Sequence, residues 1–211
     1  ITDRIQIYAH KIRAANVLTQ YQKAVDISLE VLQKAGFPIP AHPSGIELTM
    51  TYIKIKKNLK PENIGSLINL PEMKDPLMIS ISSILALLAI SAYYISKKLY
   101  AYTIFKRAIL SLKYGHCSIQ STNYVGLAII MCNHFGDYET GYNLGKLAIQ
   151  LGKKFKDRMY ESICIFFHYT FVAHWKEPMA SVLEGLKKGY LSGLETGHLE
   201  GLCFSLSQYD L

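Results

Sequence analysis

The stretch STNYVGLAIIMCNHFGDYETGYNLGKLAIQLGKK, Ser121 to Lys154, carries two helical patterns hinged at Phe135-Gly136-Asp137-Tyr138, and it predicts a helix hairpin. In its second arm Gly141 and Ala148 stand seven residues apart on one face, where small side chains let two helices approach closely.

Working outward, the same unit recurs. Apolar residues from Ile5 to Leu18 and from Tyr21 to Ala35 form two arms around a Thr19-Gln20 hinge, with Ala24 and Val31 in the place of Gly141 and Ala148, and Gly36 as the stop. Phe37 to Pro43 holds three prolines and is a connector, because proline removes a donor and biases its predecessor to extended backbone. Ser44 with Glu47 is a capping box for a helix to about Lys57. Pro61 then opens a short piece, and Leu70 to Lys74 is a loop. Asp75-Pro76 supplies a helix start, an acceptor followed by a proline at the first helical position. The helix it opens turns back at Ser96 into Leu99 to Tyr114, with Ala101 and Ala108 seven apart and Gly115 closing. Asp157 to Trp175 and Pro178 to Thr196 make a further pair, and Gly197 leads into His198 to Leu211.

These units predict an all-α fold, a tetratricopeptide-like superhelix or solenoid of about five antiparallel hairpins at 5–35, 44–68, 76–114, 121–154 and 158–196, with an unfinished helix over 198–211. The whole chain reads as one helical-repeat domain and as a fragment of a longer polypeptide. Ala101, Gly141 and Ser181 lie forty residues apart, and Ala108 and Ala148 repeat that step, which is the mark of a solenoid of helix pairs.

Half of the 211 residues are hydrophobic and 18% are charged, so the chain is too apolar to be disordered. The net charge of +7 is concentrated toward the N-terminus, where Lys54, Lys56, Lys57 and Lys60 cluster. That cluster fits a helix C-terminus, where cations complement the macrodipole; nucleic-acid binding asks for a longer basic stripe with stacking aromatics. Cys117, Cys132, Cys164 and Cys203 are dispersed without a C-x-x-C pair and read as small core residues in a reducing, cytoplasmic compartment. Leu77 to Ile95 is uncharged and long enough to raise the question of a membrane span. Its serines, with Ser80, Ser83, Ser91 and Tyr94 on one stripe, make it instead a core helix covered by neighbours on several sides.

The combination of Leu70-Pro71-Glu72-Met73-Lys74-Asp75-Pro76, Ser111-Leu112-Lys113-Tyr114-Gly115, Gly136-Asp137-Tyr138 with Gly141-Tyr142, His174-Trp175-Lys176-Glu177-Pro178 and Gly193-Leu194-Glu195-Thr196-Gly197 resembles a particular family. It is similar to the helical-repeat segment that follows a P-loop ATPase in large bacterial signalling proteins, many of which combine a Ser/Thr kinase-like domain, that ATPase, a GAF sensor and a histidine kinase. The resemblance runs from about Ala24 to Gly201 and rests on turns and small packing positions. His198 departs from it, since an acidic residue is expected after Gly197. The resemblance implies a place beside ATPase or kinase domains and no chemistry of this segment's own.

The residues agree on that last point. There is no G-x-x-x-x-G-K-[ST] loop and no G-x-G-x-x-G after a strand. Cys164 and His168 could face one another on a helix, but a third and fourth metal ligand are missing. Glu195, His198 and Glu200 read as a solvated helix start, and no histidine has an evident Ser, Cys or Asp partner. Of the fifteen tyrosines eight crowd between Tyr93 and Tyr142, and they offer ring surfaces with a polar tip. Ser80, Ser83, Ser91 and Tyr94, with Tyr124 and Asn133 on the first arm at 121–154, are the groove candidates. The expected function is therefore a non-catalytic module for protein interaction or regulatory relay, without cofactor or metal. Its expected partners are a protein or the flanking domains, not nucleic acid or membrane. A small-molecule sensor with a pocket in the superhelix and a membrane-attached regulator using 77–95 are the alternatives.

Overall fold

Local signals set most helix boundaries. Ser44 Oγ accepts from the Glu47 amide at 3.2 Å while Glu47 accepts from the Ser44 amide at 2.8 Å, a closed capping box. Asp75 Oδ1 accepts from the Leu77 amide at 2.9 Å, ahead of Pro76 at the first helical position. Asp137 and Asp157 cap in the same way, through the amides of Thr140 and Tyr160. The computed structural model describes residues 2–197, with side chains from Ile5 onward. The helix expected over 198–211, with His198, Glu200 and Cys203, lies outside the described residues.

The described chain is all helical: α1 (Thr2–Val17), α2 (Tyr21–Lys34), α3 (Gly45–Lys56), the single-turn α4 (Pro61–Ile64), α5 (Pro76–Ile95), α6 (Lys97–Tyr114), α7 (Ser121–Ile130), α8 (Tyr138–Lys154), α9 (Arg158–Phe171) and α10 (Met179–Thr196). Among the described residues no strand forms, and one isolated parallel bridge joins Glu72 to His116. Met73 N donates to His116 O and His116 N to Pro71 O, which pins the loop before α5 to the end of α6. Gly115 is required there: it holds φ 89°, and a Cβ would stand 2.1 Å from the Pro71 carbonyl oxygen.

The described residues fall into two compact units. Those up to Lys57 and from Pro71 to His116 form the first; Asn58–Leu70 and those from Cys117 onward form the second. In the first, α5 is the centre: Ile81, Ile84, Leu85, Leu88 and Ala92 are buried, and α1, α2 and α6 all pack on it. The uncharged run from Leu77 to Ile95 makes sense in a helix covered from three sides. Asn16 of α1 donates to the Leu87 carbonyl at 3.2 Å and accepts from the Ser91 hydroxyl at 2.6 Å, satisfying polar groups inside this contact. The helix α3 packs on α6, where Tyr52 meets Phe105 with ring centroids 5.4 Å apart.

In the second unit α7 and α8 pair closely, α9 lies against both, and α10 packs on α9. A π-helical turn, Met131–Phe135, ends α7, and Asp137 N donates to Met131 O across it. As its sequence predicts, α8 makes its contact through small residues. A Cβ on Gly141 would stand 2.3 Å from Cys132 Sγ and 3.0 Å from the Ala128 carbonyl oxygen, so the α7–α8 approach has no room for a side chain.

Two expectations are corrected. The segment 44–68 is not a hairpin with two arms. Its first part is α3, in the first unit; from Asn58 the chain runs through short helical pieces that pack on α8 in the second, where Lys154 Nζ donates to Ile68 O at 2.6 Å. Pro61 and the sparse apolar set Leu59, Ile64 and Leu67 cannot build a second long arm. The forty-residue step also fails at Ser181, which is exposed. Its role falls to Gly185, where a Cβ would lie 2.2 Å from the Tyr169 ring. The reason is the connection: Gly136 and Asp137 alone separate the π turn from α8, whereas Val172 to Pro178, with a 3-10 turn inside, separates α9 from α10.

Replacing Gly141 with Leu should lower stability on the order of 1 to 3 kcal/mol through overpacking. Gly45→Ala, at a position where a Cβ meets nothing within 4 Å, should stay within about 0.5 kcal/mol of the wild type. Urea titrations followed by circular dichroism give both values, and equal midpoints for the two variants would contradict the close α7–α8 approach.

Candidate functional site

The six groove candidates are divided between the two units. Ser80 and Ser91 are buried and Ser83 is half-buried; the Ser91 hydroxyl donates to Asn16 Oδ1 of α1, and those of Ser80 and Ser83 donate to the backbone carbonyls four residues back, of Pro76 and Ile79. This back-bonding is how a serine is accommodated in an apolar helix, and it takes the hydroxyls away from any groove. Tyr94, on the same helix, is exposed and stacks on Tyr21, with centroids 4.2 Å apart. In the second unit Tyr124 is among the largest fully buried side chains, a core residue of α7, while Asn133 is exposed on the π turn.

A polar cluster that the sequence did not single out forms in the second unit. Glu177, in the connection before α10, accepts from the Tyr142 hydroxyl at 2.8 Å and from the Ser181 hydroxyl, so one carboxylate ties α8 to the start of α10. Next to it Lys176 pairs with Glu139, and the Trp175 indole stacks on Tyr138 with centroids 4.4 Å apart. Partial burial pushes the Glu177 carboxyl upward, but hydrogen bonds from Ser181 and Tyr142 and the charge of Lys146 outweigh it and hold it below the ordinary value. Burial, reinforced by the bond to Glu177, lifts the Tyr142 phenol to about 12, so it stays a donor. His168 lies under this cluster. Its ring centroid is 5.6 Å from that of Tyr142, and a Cβ on Gly145 would meet its Nδ1 at 2.1 Å. Burial lowers its pKa to about 4, so it is neutral at pH 7.

None of these shifts produces an activated nucleophile or a base poised near neutrality. Burial raises the Cys132 thiol to about 11, away from the thiolate a reactive cysteine needs. Cys164 is buried, as is His168, and among the described residues no three His, Cys, Asp or Glu side chains stand close enough to hold a metal ion. One helix among the described residues, α5, is long and apolar enough to cross a membrane, and more than half of it is buried against its own unit. The cluster around Glu177 can fix the α9–α10 connection on α8; its exposed members, Tyr138, Trp175 and Lys176, can also present aromatic surface and charge to a partner.

A signalling protein matches the chain at a distance. Hybrid signal transduction histidine kinase G of Dictyostelium discoideum is 19% identical over 219 residues, which cover 95% of this chain and 6% of the relative. The chain thus spans a small part of the curated protein it matches, and the distant similarity suggests a signalling context. No family model matches the chain, and no solved structure shows significant similarity to it.

The buried His168 generates a pH dependence. Its folded pKa, about 4, lies below the unfolded 6.5, so as pH falls the unfolded chain takes up the proton first. Its contribution to stability is complete above pH 6.5 and is lost between 6.5 and about 4, with a slope of up to ~1.4 kcal/mol per pH unit. Urea unfolding of wild type and His168→Gln over that window should show a flatter curve for the variant; parallel curves would contradict a neutral, buried His168.

Proposed function

We propose that this chain is a non-catalytic, tetratricopeptide-like helical-repeat module that mediates protein interaction, or relays regulation between flanking domains, within a larger signalling protein that carries ATPase or kinase domains. The observation that carries the reading is the way hairpins pack. In the first unit α5 rests against both α1 and α2, and in the second α9 rests against both α7 and α8. A helix seated on both arms of the preceding hairpin is the step by which helix-pair repeats stack into a superhelix. The similarity to a hybrid histidine kinase supports the signalling context, and the matched relative is from Dictyostelium discoideum, which does not favour a bacterial parent. The cytoplasm is the compartment that suits three free cysteines among the described residues.

The serines expected to line a ligand pocket are bonded within α5 or, for Ser91, to Asn16 of α1, which takes away the support for a small-molecule sensor. Excision of the repeats from the intact signalling protein tests the relay. ATPase or kinase turnover of the flanking domains should persist while the dependence of one activity on the other is lost. Unchanged coupling after excision, or ATP hydrolysis by the isolated repeats, would contradict the reading.

A further inference from the structure

At one end of the first unit, apolar side chains stand in solvent. Val17 and Leu18, at the turn from α1 to α2, are 77% and 63% exposed, and Ile90, Tyr93, Tyr94 and Ile95, on the last turns of α5, are 45–59% exposed. The two sets share that end, because Asn16 bonds to Ser91 and Leu87 and because Tyr21 stacks on Tyr94 with planes 10° apart. Tyr93 then stands edge-on to both Tyr94 and Tyr100, at 5.3 and 5.6 Å between centroids. The result is a ladder of four rings fixed by one another before any partner arrives. Rigid aromatic area of this kind binds at low entropic cost, and tyrosine is over-represented where binding energy concentrates.

The charge near the ladder is predominantly positive. Lys23, Lys97 and Lys98, close in sequence to its tyrosines, are exposed. From Pro76 to Gly136 the chain holds Lys97, Lys98, Lys106, Arg107 and Lys113 and no Asp or Glu. On α2, Glu30 is paired with Lys34, which leaves Asp26, bonded to the neutral Gln22 amide, as the one uncompensated acid on that helix. A complementary partner is acidic, with apolar side chains to meet the isoleucines and ring edges. Nucleic-acid binding asks for a longer basic stripe than Lys97 and Lys98 supply. A fluid lipid surface has no use for a fixed ring geometry, whereas a protein segment does.

We propose that the Tyr21–Tyr94–Tyr93 ladder, flanked by Lys97 and Lys98, docks an acidic, apolar-anchored segment of a partner protein. The proposal rests on the interaction-module reading and gives it a surface and a partner chemistry.

The test is a selection in which the partner need not be identified beforehand. A library of short random peptides displayed on phage is panned on the wild-type protein, and enriched clones are measured against Tyr93→Ser/Tyr94→Ser and Lys97→Glu/Lys98→Glu. All four positions are exposed, and circular dichroism and melting establish that the variants fold. The expected result is enrichment of Glu- and Asp-rich peptides with Leu, Ile or Phe anchors whose affinity drops at least ~10-fold in both variants. Peptides that bind both variants as well as wild type would remove this surface and leave the interaction-module reading standing. Variant-sensitive peptides without acidic character would overturn the partner chemistry. Failure to enrich any clone would count against the module reading itself, and the docking surface would fall with it. Vesicles of about one-third phosphatidylserine in phosphatidylcholine complete the comparison. Binding to them that is lost in Lys97→Glu/Lys98→Glu, with no acidic peptide selected, would overturn the proposal in favour of a membrane surface.

Discussion

The second unit depends on how closely α8 approaches the helices on either side of it. Gly141 lets α7 come within contact of the α8 backbone, and Gly145 and Gly152, seven residues apart, do the same for α9: a Cβ would lie 2.1 Å from His168 Nδ1 at the first and 2.8 Å from the Glu161 Cα at the second. Two helices at this separation exchange many dispersion contacts along their backbones, each small and together large. The cost is that the contact tolerates no added atom, because packed interiors yield little. These faces are fully committed to packing, which leaves the ends and outer sides of the hairpins for function.

In the first unit the same demand for close contact is met by a different device. The helix α5 is nearly featureless in sequence, yet three neighbours cover it, and its serines avoid the penalty of buried hydroxyls by bonding to their own backbone. Its last turns leave the core, and there its composition changes to Tyr93, Tyr94 and Ile95 followed by Lys97 and Lys98. A helix that is core for most of its length and exposed at one end delivers rigid aromatic side chains to the surface from a firm base.

The capping residues Ser44 and Asp75 were legible in the sequence because a cap involves neighbours within three residues. Gly141 was legible because a small residue at helical spacing within an otherwise apolar face marks a close approach. The single turn at 61–64 was not, since a capped helix start at Ser44 invites a returning arm that Pro61 and the scarcity of apolar residues then deny. Ser181 was misplaced because a period counts residues and takes no account of a longer connection. At the candidate sites the stripe of Ser80, Ser83 and Ser91 was visible, but the destination of each hydroxyl was not, as back-bonding leaves no trace in the spacing. The Tyr142–Glu177 bond joins residues 35 apart, and Tyr21 meets Tyr94 across two hairpins, distances at which pattern carries no information.

Backbone-close helix contacts hold the hairpins, and a double-mutant cycle at Gly141 and Cys132 tests that most directly. Gly141→Ala places a methyl where Cys132 Sγ stands 2.3 Å away, and Cys132→Ala takes that sulfur away. The loss caused by Gly141→Ala should shrink in the Cys132→Ala background, with a coupling of roughly 0.5 to 3 kcal/mol measured by urea unfolding. Strictly additive losses would show that the two positions do not press on each other and would contradict a contact this close.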